Sequence, residues 1–278
     1  GPYVGAEYSG GGFPHWLRDV PGLKYRNYNP AWVDESTRWM MALNETLRSE
    51  MVGNGGNIVM AQIENEWNPG SNCMQKTGPS SWTDQHENGV EFYLWNWRLV
   101  ESLQWGIVWM WNSGVPPENL LKGRTTGLVA GFDGNHVHGT PGALWIEDEG
   151  WYTNWGDTPK HQTASNIANR VLQFFAGGGA VHSYYMFFGG NHYGSQSANR
   201  SSSSACGGAM TCYAMDVMLN CYGGRNEPKF SHLGNLHRSI AMVAPQLLAQ
   251  SQPVVVSLAK HDGPVLVADQ KFDNASTD

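Results

Sequence analysis

Two acidic clusters stand at the ends of short apolar runs. Ile58-Val59-Met60-Ala61-Gln62-Ile63 runs into Glu64-Asn65-Glu66-Trp67, and Ala143-Leu144-Trp145-Ile146 runs into Glu147-Asp148-Glu149-Gly150-Trp151. Such runs read as strands, and the C-terminal ends of parallel strands are where α/β barrels carry catalytic groups. A pair of carboxyl groups on different strands suits glycosidic bond cleavage, one protonating the leaving oxygen while the other attacks or activates water. Asn65, directly before Glu66, adds an amide that can bond a sugar hydroxyl while the acid reaches the glycosidic oxygen. The same pattern also fits an exposed acidic turn after a buried strand, and the residues alone leave both open.

The elements around these acids follow the rhythm of βα units. Apolar runs at 57–63, 106–111, 127–132, 143–147 and 180–187 alternate with helical patterns, which implies a parallel sheet. Asn29-Pro30 supplies a cap and a first-turn proline, and Val33, Met40, Leu43, Leu47 and Met51 share one face before Gly53. Thr158-Pro159 is expected to open a second helix with Ile167, Val171, Phe174 and Phe175 inward, stopped by Gly177-Gly178-Gly179. A third is expected from near Ser231, burying Leu233, Leu236, Ile240 and Val243. Residues 195–208 read as a long loop. After Pro253, alternating Val-rich strand signals replace helices, so a boundary is expected near 248–253, with residues 1–250 a barrel and 251–278 the start of an all-β module.

Composition narrows the partners. The chain has 278 residues, 41% hydrophobic, and a formal net charge of −7. With no Lys/Arg-rich stripe to replace phosphate counterions, nucleic acid is not an expected partner and a neutral substrate fits better. Thirteen Trp and eleven Tyr suit sugar faces, although most aromatics in a large barrel pack the core. No run approaches the ~20 apolar residues of a membrane span. The chain opens on Gly1-Pro2-Tyr3-Val4 without Met or leader, so the missing signal peptide carries no weight. Sequons at Asn44, Asn199 and Asn274 and four cysteines (Cys73, Cys206, Cys212, Cys221) favour secreted, lysosomal, vacuolar or cell-wall handling; the pairing of the cysteines is not legible.

Several separate motifs are similar to glycoside hydrolase family 35, the acid β-galactosidase family. Gly1-Pro2-Tyr3-Val4-Gly5-Ala6-Glu7-Tyr8 with Gly11-Gly12-Phe13-Pro14-His15-Trp16-Leu17 resembles the segment after that family's third barrel strand, and Gln62-Ile63-Glu64-Asn65-Glu66-Trp67 its acid/base strand. Trp145-Ile146-Glu147 with Gly150-Trp151-Tyr152-Thr153 resembles the nucleophile segment, and Phe174-Phe175 through Tyr184-Tyr185-Met186 to Gly189-Gly190 the eighth strand. The resemblance implies a (β/α)8 TIM barrel acting as a retaining exo-β-galactosidase without cofactor or metal. Glu66 would be acid/base and Glu147 nucleophile, with Ala6 (through its backbone), Glu7 and Asn65 holding sugar hydroxyls. Tyr185 would point at the nucleophile, and Trp151 would be a platform under the ring or a core residue.

Three departures accompany the resemblance. Between Glu147 and Gly150 the chain is one residue shorter than the family pattern, so Glu149 competes for the nucleophile position; Glu147 is preferred because Trp-x-Glu aligns without a gap. Met215, within Tyr213-Ala214-Met215-Asp216, stands where the family has a sugar-contacting Tyr. The opening corresponds to the end of the third strand, which implies a barrel incomplete at its N-terminal side, with open edges. The alternatives are an exo-β-glucosaminidase or β-glucosidase on the same scaffold, or an inactive carbohydrate-binding homologue. His136-Val137-His138 lacks partners at metal-ligand spacing, and Gly53-Asn54-Gly55-Gly56 reads as a turn before a strand.

Overall fold

A computed structural model describes residues 13–67, 89–112, 116, 118–134, 142–149, 161–191 and 212–249. Strands β1 (Met60–Gln62), β2 (Val108–Asn112), β3 (Leu128–Gly134), β4 (Leu144–Glu149) and β5 (Val181–Tyr185) form one five-stranded sheet in chain order. Every neighbouring pair is parallel. A sheet that adds each strand on the same side, without the order reversal of a doubly wound fold, winds in one direction as a barrel wall does. All five C-terminal ends therefore lie along one rim.

Helices α1 (Pro30–Leu47), α2 (Gly89–Ser102), α3 (Glu118–Leu121), α4 (Ala164–Ala176) and α5 (Lys229–Leu248) accompany the strands. The Asn29 side chain accepts from the Trp32 N–H, so the expected cap of α1 holds. Met51 is not on that helix: α1 stops at Leu47, and Met51, 2% exposed, instead bridges to Ile58. The turn that separates them needs glycine twice. Gly55 takes φ +93°, and a Cβ on Gly56 would stand 2.0 Å from the Glu50 carbonyl carbon.

Helix α4 begins later than expected. Its cap is Thr163, whose hydroxyl accepts from the Asn166 N–H at 3.1 Å, because a side-chain acceptor at that point satisfies the first-turn donors. Thr158-Pro159 lies outside the described residues. In α5, Leu233, Leu236 and Ile240 pack with α4 as expected, but Val243 is 49% exposed. At 1.5 Å per residue the 20-residue α5 outruns the 13-residue α4, so the inward stripe continues past its partner.

The aromatic load goes mainly inward. Trp32, Trp67, Trp95, Trp105, Trp109 and Trp111 join Phe92 and Tyr93 in one cluster under β1 and β2. Trp105 Nε1 donates to Oδ1 of the sequon residue Asn44 at 2.6 Å. Cys212 and Cys221 form a disulfide. No described helix is long and apolar enough to cross a membrane.

Candidate active site

At the end of β1 the chain turns sharply while staying buried. Ile63 N–H extends the ladder to the Met110 carbonyl at 3.0 Å, and then Glu64 and Glu66 take φ +63° and +46°. Left-handed backbone costs a residue with a Cβ about 1–3 kcal/mol and persists only where its surroundings over-determine it. Those surroundings are explicit. Arg26 grips the Glu64 carboxylate through Nε at 3.1 and 3.2 Å and Nη2 at 2.6 Å, and also donates to the Asn65 carbonyl. The Gln62 amide donates to the Glu64 carbonyl and to Asn65 Oδ1, both at 2.7 Å. The Asn65 N–H returns to Glu64 Oε2 at 3.0 Å, and Trp67 Nε1 donates to the Arg26 carbonyl at 2.9 Å. With Ile63 at 0% and Glu64 at 2% exposure, an exposed acidic turn is ruled out.

The neighbouring strand joins this turn to the second acid. Asn112, the last residue of β2 and 1% exposed, donates from Nδ2 to Asn65 Oδ1 at 3.1 Å and to Glu147 Oε1 at 3.0 Å. On β4 the register against β5 passes from Trp145↔His182 to Asp148↔Tyr184, three steps against two, and a matching shift faces β3. Such a bulge re-aims side chains where it falls. The Glu147 carbonyl accepts from Trp145 Nε1 at 3.1 Å.

Asp148 points the other way, 2% exposed, with Arg170 Nη2 at 2.7 Å and His182 Nε2 at 3.0 Å. Beside it Tyr184 OH and His237 Nε2 share a bond of 2.7 Å. Burial first, then the charge of Asp148, pushes the Tyr184 hydroxyl far above its usual range, so it stays neutral. Burial, then the charge of His182, holds His237 below its ordinary value. Asp216 is lowered although burial alone would raise it, because the Lys229 ammonium, the Gln162 N–H and His161 together outweigh desolvation.

Of the residues expected at the site, Asn65 and Glu147 meet through Asn112, and Glu66 follows Asn65 in the same turn. Tyr185 ends β5, half-buried, with its hydroxyl 3.5 Å from that of Tyr213. Met215 is 37% exposed beside the buried Tyr213. Ala6, Glu7 and Trp151 lie outside the described residues, as do His136 and His138. Among the described residues no three of His, Cys, Asp and Glu gather as a metal cage. Arg26 and Asn112 are the contributors that sequence reading misses. Asn112 does leave a signal, a single polar side chain closing the run Val108-Trp109-Met110-Trp111; Arg26 leaves none, since it reaches the turn from 38 residues away.

The family model for glycosyl hydrolases family 35 matches residues 1–240. The chain belongs to this family. It is 32% identical over 258 residues to the probable beta-galactosidase 2 of Dictyostelium discoideum, covering 91% of this chain and 31% of that protein. It is 30% identical over 257 residues to beta-galactosidase 11 of Arabidopsis thaliana (89% of this chain, 28% of that one). To beta-galactosidase 14 of the same plant it is 32% identical over 251 residues, 87% of this chain and 26% of the relative. The chain thus spans under a third of the length of these relatives. A (β/α)8 barrel is the fold of the family, and the parallel, unidirectional sheet agrees with it.

Proposed function

We propose that the protein to which this chain belongs is a retaining exo-β-glycosidase that removes terminal β-D-galactosyl residues by double displacement. What supports this most is the link through Asn112, which holds the turn carrying Asn65-Glu66 and the carboxylate of Glu147 at one rim of the sheet. Glu147 attacks the anomeric carbon while Glu66 gives its proton to the leaving oxygen; water, deprotonated by Glu66, then attacks the glycosyl ester and frees Glu147. The carboxyl groups of such a pair stand about 5–5.5 Å apart. Asn65, Ala6 and Glu7 hold sugar hydroxyls, Tyr185 orients the nucleophile, and Trp151 supplies an apolar platform.

The five strands are contiguous members of an eight-stranded barrel whose remaining strands complete the sugar site; residues 251–278, read from sequence as the start of a β-rich module, lie outside the described residues. The Cys212–Cys221 disulfide fits an oxidising compartment, hence secretion or lysosomal, vacuolar or cell-wall residence. One observation favours a second sugar: the exposed Met215 cannot make the hydroxyl bond of a tyrosine, which leaves room for a β-glucoside or β-glucosaminide.

Aryl glycosides offered to the complete protein separate these readings. Galactoside turnover is expected, glucoside or glucosaminide turnover alone would move the specificity, and no turnover with retained sugar binding would make the protein a lectin-like homologue. E66Q should keep activity only on substrates whose leaving group needs no proton, and equal loss on all of them would remove Glu66 from the acid role.

A further inference from the structure

We propose that Asn112 is a positioning residue of the reaction, one amide that holds the nucleophile and the sugar-binding Asn65 in a fixed mutual orientation. The inference rests on the glycosidase reading above and deepens it. Asn112 closes β2, and its side chain ties the turn after β1 to the acid on β4: Nδ2 reaches Asn65 Oδ1 at 3.1 Å and Glu147 Oε1 at 3.0 Å.

Both hydrogens of the amide are thereby spent on acceptors. Oδ1 of Asn112 is buried and has no hydrogen-bond partner among the described residues. A buried amide that leaves its own oxygen unsatisfied to serve two acceptors is a costly way to stabilise a core, since an apolar side chain of the same shape would avoid the desolvation. The arrangement makes sense as a donor aimed at function. The charge-assisted bond to Glu147 Oε1 favours the ionised nucleophile and fixes how that carboxylate stands at the rim. The bond to Asn65, with Gln62 on the same oxygen at 2.7 Å, occupies that oxygen as an acceptor, so the sugar bonds proposed for Asn65 come from its amide hydrogens.

The test uses the complete protein, an aryl β-galactoside, and N112L and N112D. Losing the donor should lower kcat/KM of N112L roughly tenfold to a hundredfold, the range for a hydrogen bond to a charged group. The acid limb of its pH profile should move to higher pH, because the nucleophile loses a bond to its ionised form. N112D carries the same shape and adds a signature that packing cannot produce. When protonated, the introduced carboxyl offers one O–H to Glu147; when ionised, it offers none and repels it. The activity of N112D relative to wild type should therefore climb as pH falls. The charged groups at these strand ends, Glu64 with Arg26, Glu66 and Glu147, are the same in both proteins, so the ratio isolates position 112. Turnover by N112L within twofold of wild type with an unmoved acid limb, or a flat N112D ratio, would overturn the role. If N112L does not fold, the N112D ratio decides alone. A wild-type protein that turns over no glycoside would overturn the function reading itself, and the role of Asn112 with it.

Discussion

Glu147 and Asp148 are consecutive carboxylates on one strand, yet their surroundings have little in common. A strand sends successive side chains to opposite faces. Glu147 meets the rim, half-buried, with one amide of Asn112 on it. Asp148 meets the helices, its side chain 0% exposed, held by Arg170 and His182. The outer acid is neutralised within a cluster that ties β4 and β5 to α4 and α5. The inner acid takes a bond from a neutral donor, the Asn112 amide, which orients the carboxylate. On the proposed mechanism, that difference separates a carboxylate that holds elements together from one that reacts.

Removing each acid in turn is the sharpest way to break the comparison. E147Q in the complete protein should lower turnover by about a thousandfold or more, with little change in unfolding midpoint, because a nucleophile has no neutral substitute. D148A should do the reverse. It strands the Arg170 guanidinium in a buried site, which costs about 3–5 kcal/mol of stability by denaturant titration, while the molecules that remain folded keep most of their turnover. Equal effects of the two substitutions on kcat would erase the distinction.

A smaller effect tests how the turn around Glu66 is held. R26K keeps the charge but not the planar fork that grips both Glu64 oxygens and the Asn65 carbonyl, so stability should drop by about 1–3 kcal/mol. Because the left-handed turn is then under-determined, kcat should fall further than KM rises. An unchanged kcat in R26K would mean the turn holds itself.

The smallest effect belongs to the outer cluster and to pH. His237 is held below its ordinary value by burial, so the unfolded chain takes up the proton more readily. Its contribution is therefore complete above pH ~6.5 and is lost as pH falls below it, toward the lowered folded value. H237Q should flatten that part of the stability profile from pH 7 to 5, measured by thermal unfolding. Asp216, also lowered, acts in the same direction at a lower pH, with stability lost as pH falls below its ordinary 3.8. A profile of H237Q identical to wild type would show that burial of His237 is not felt.

The strands are legible because each is a short, near-continuous run of β-branched and aromatic residues, and the acids because they follow those runs directly. Helix α2 is not, since Phe92, Tyr93, Leu94 and Trp95 are all buried in succession and leave no stripe for a 3.6-residue period to show. The start of α4 misleads because Thr158-Pro159 and Thr163 offer the same cap chemistry within one turn and a half. Arg26 stays hidden for another reason: its role is a meeting of side chains from separate βα units, and no local pattern encodes it; Asn112 shows only as a polar residue closing an apolar run, with nothing to say which acid it meets.

The proposed mechanism turns on which carboxylate forms the covalent intermediate. The direct measurement is to incubate the complete protein with an activated 2-deoxy-2-fluoro-β-galactoside, whose glycosyl-enzyme turns over slowly, and to map the labelled peptide by mass spectrometry. A fluorogalactosyl ester on Glu147, lost in E147Q and retained in D148N, is the expected result. A label on Glu149, or none while turnover continues, would contradict it.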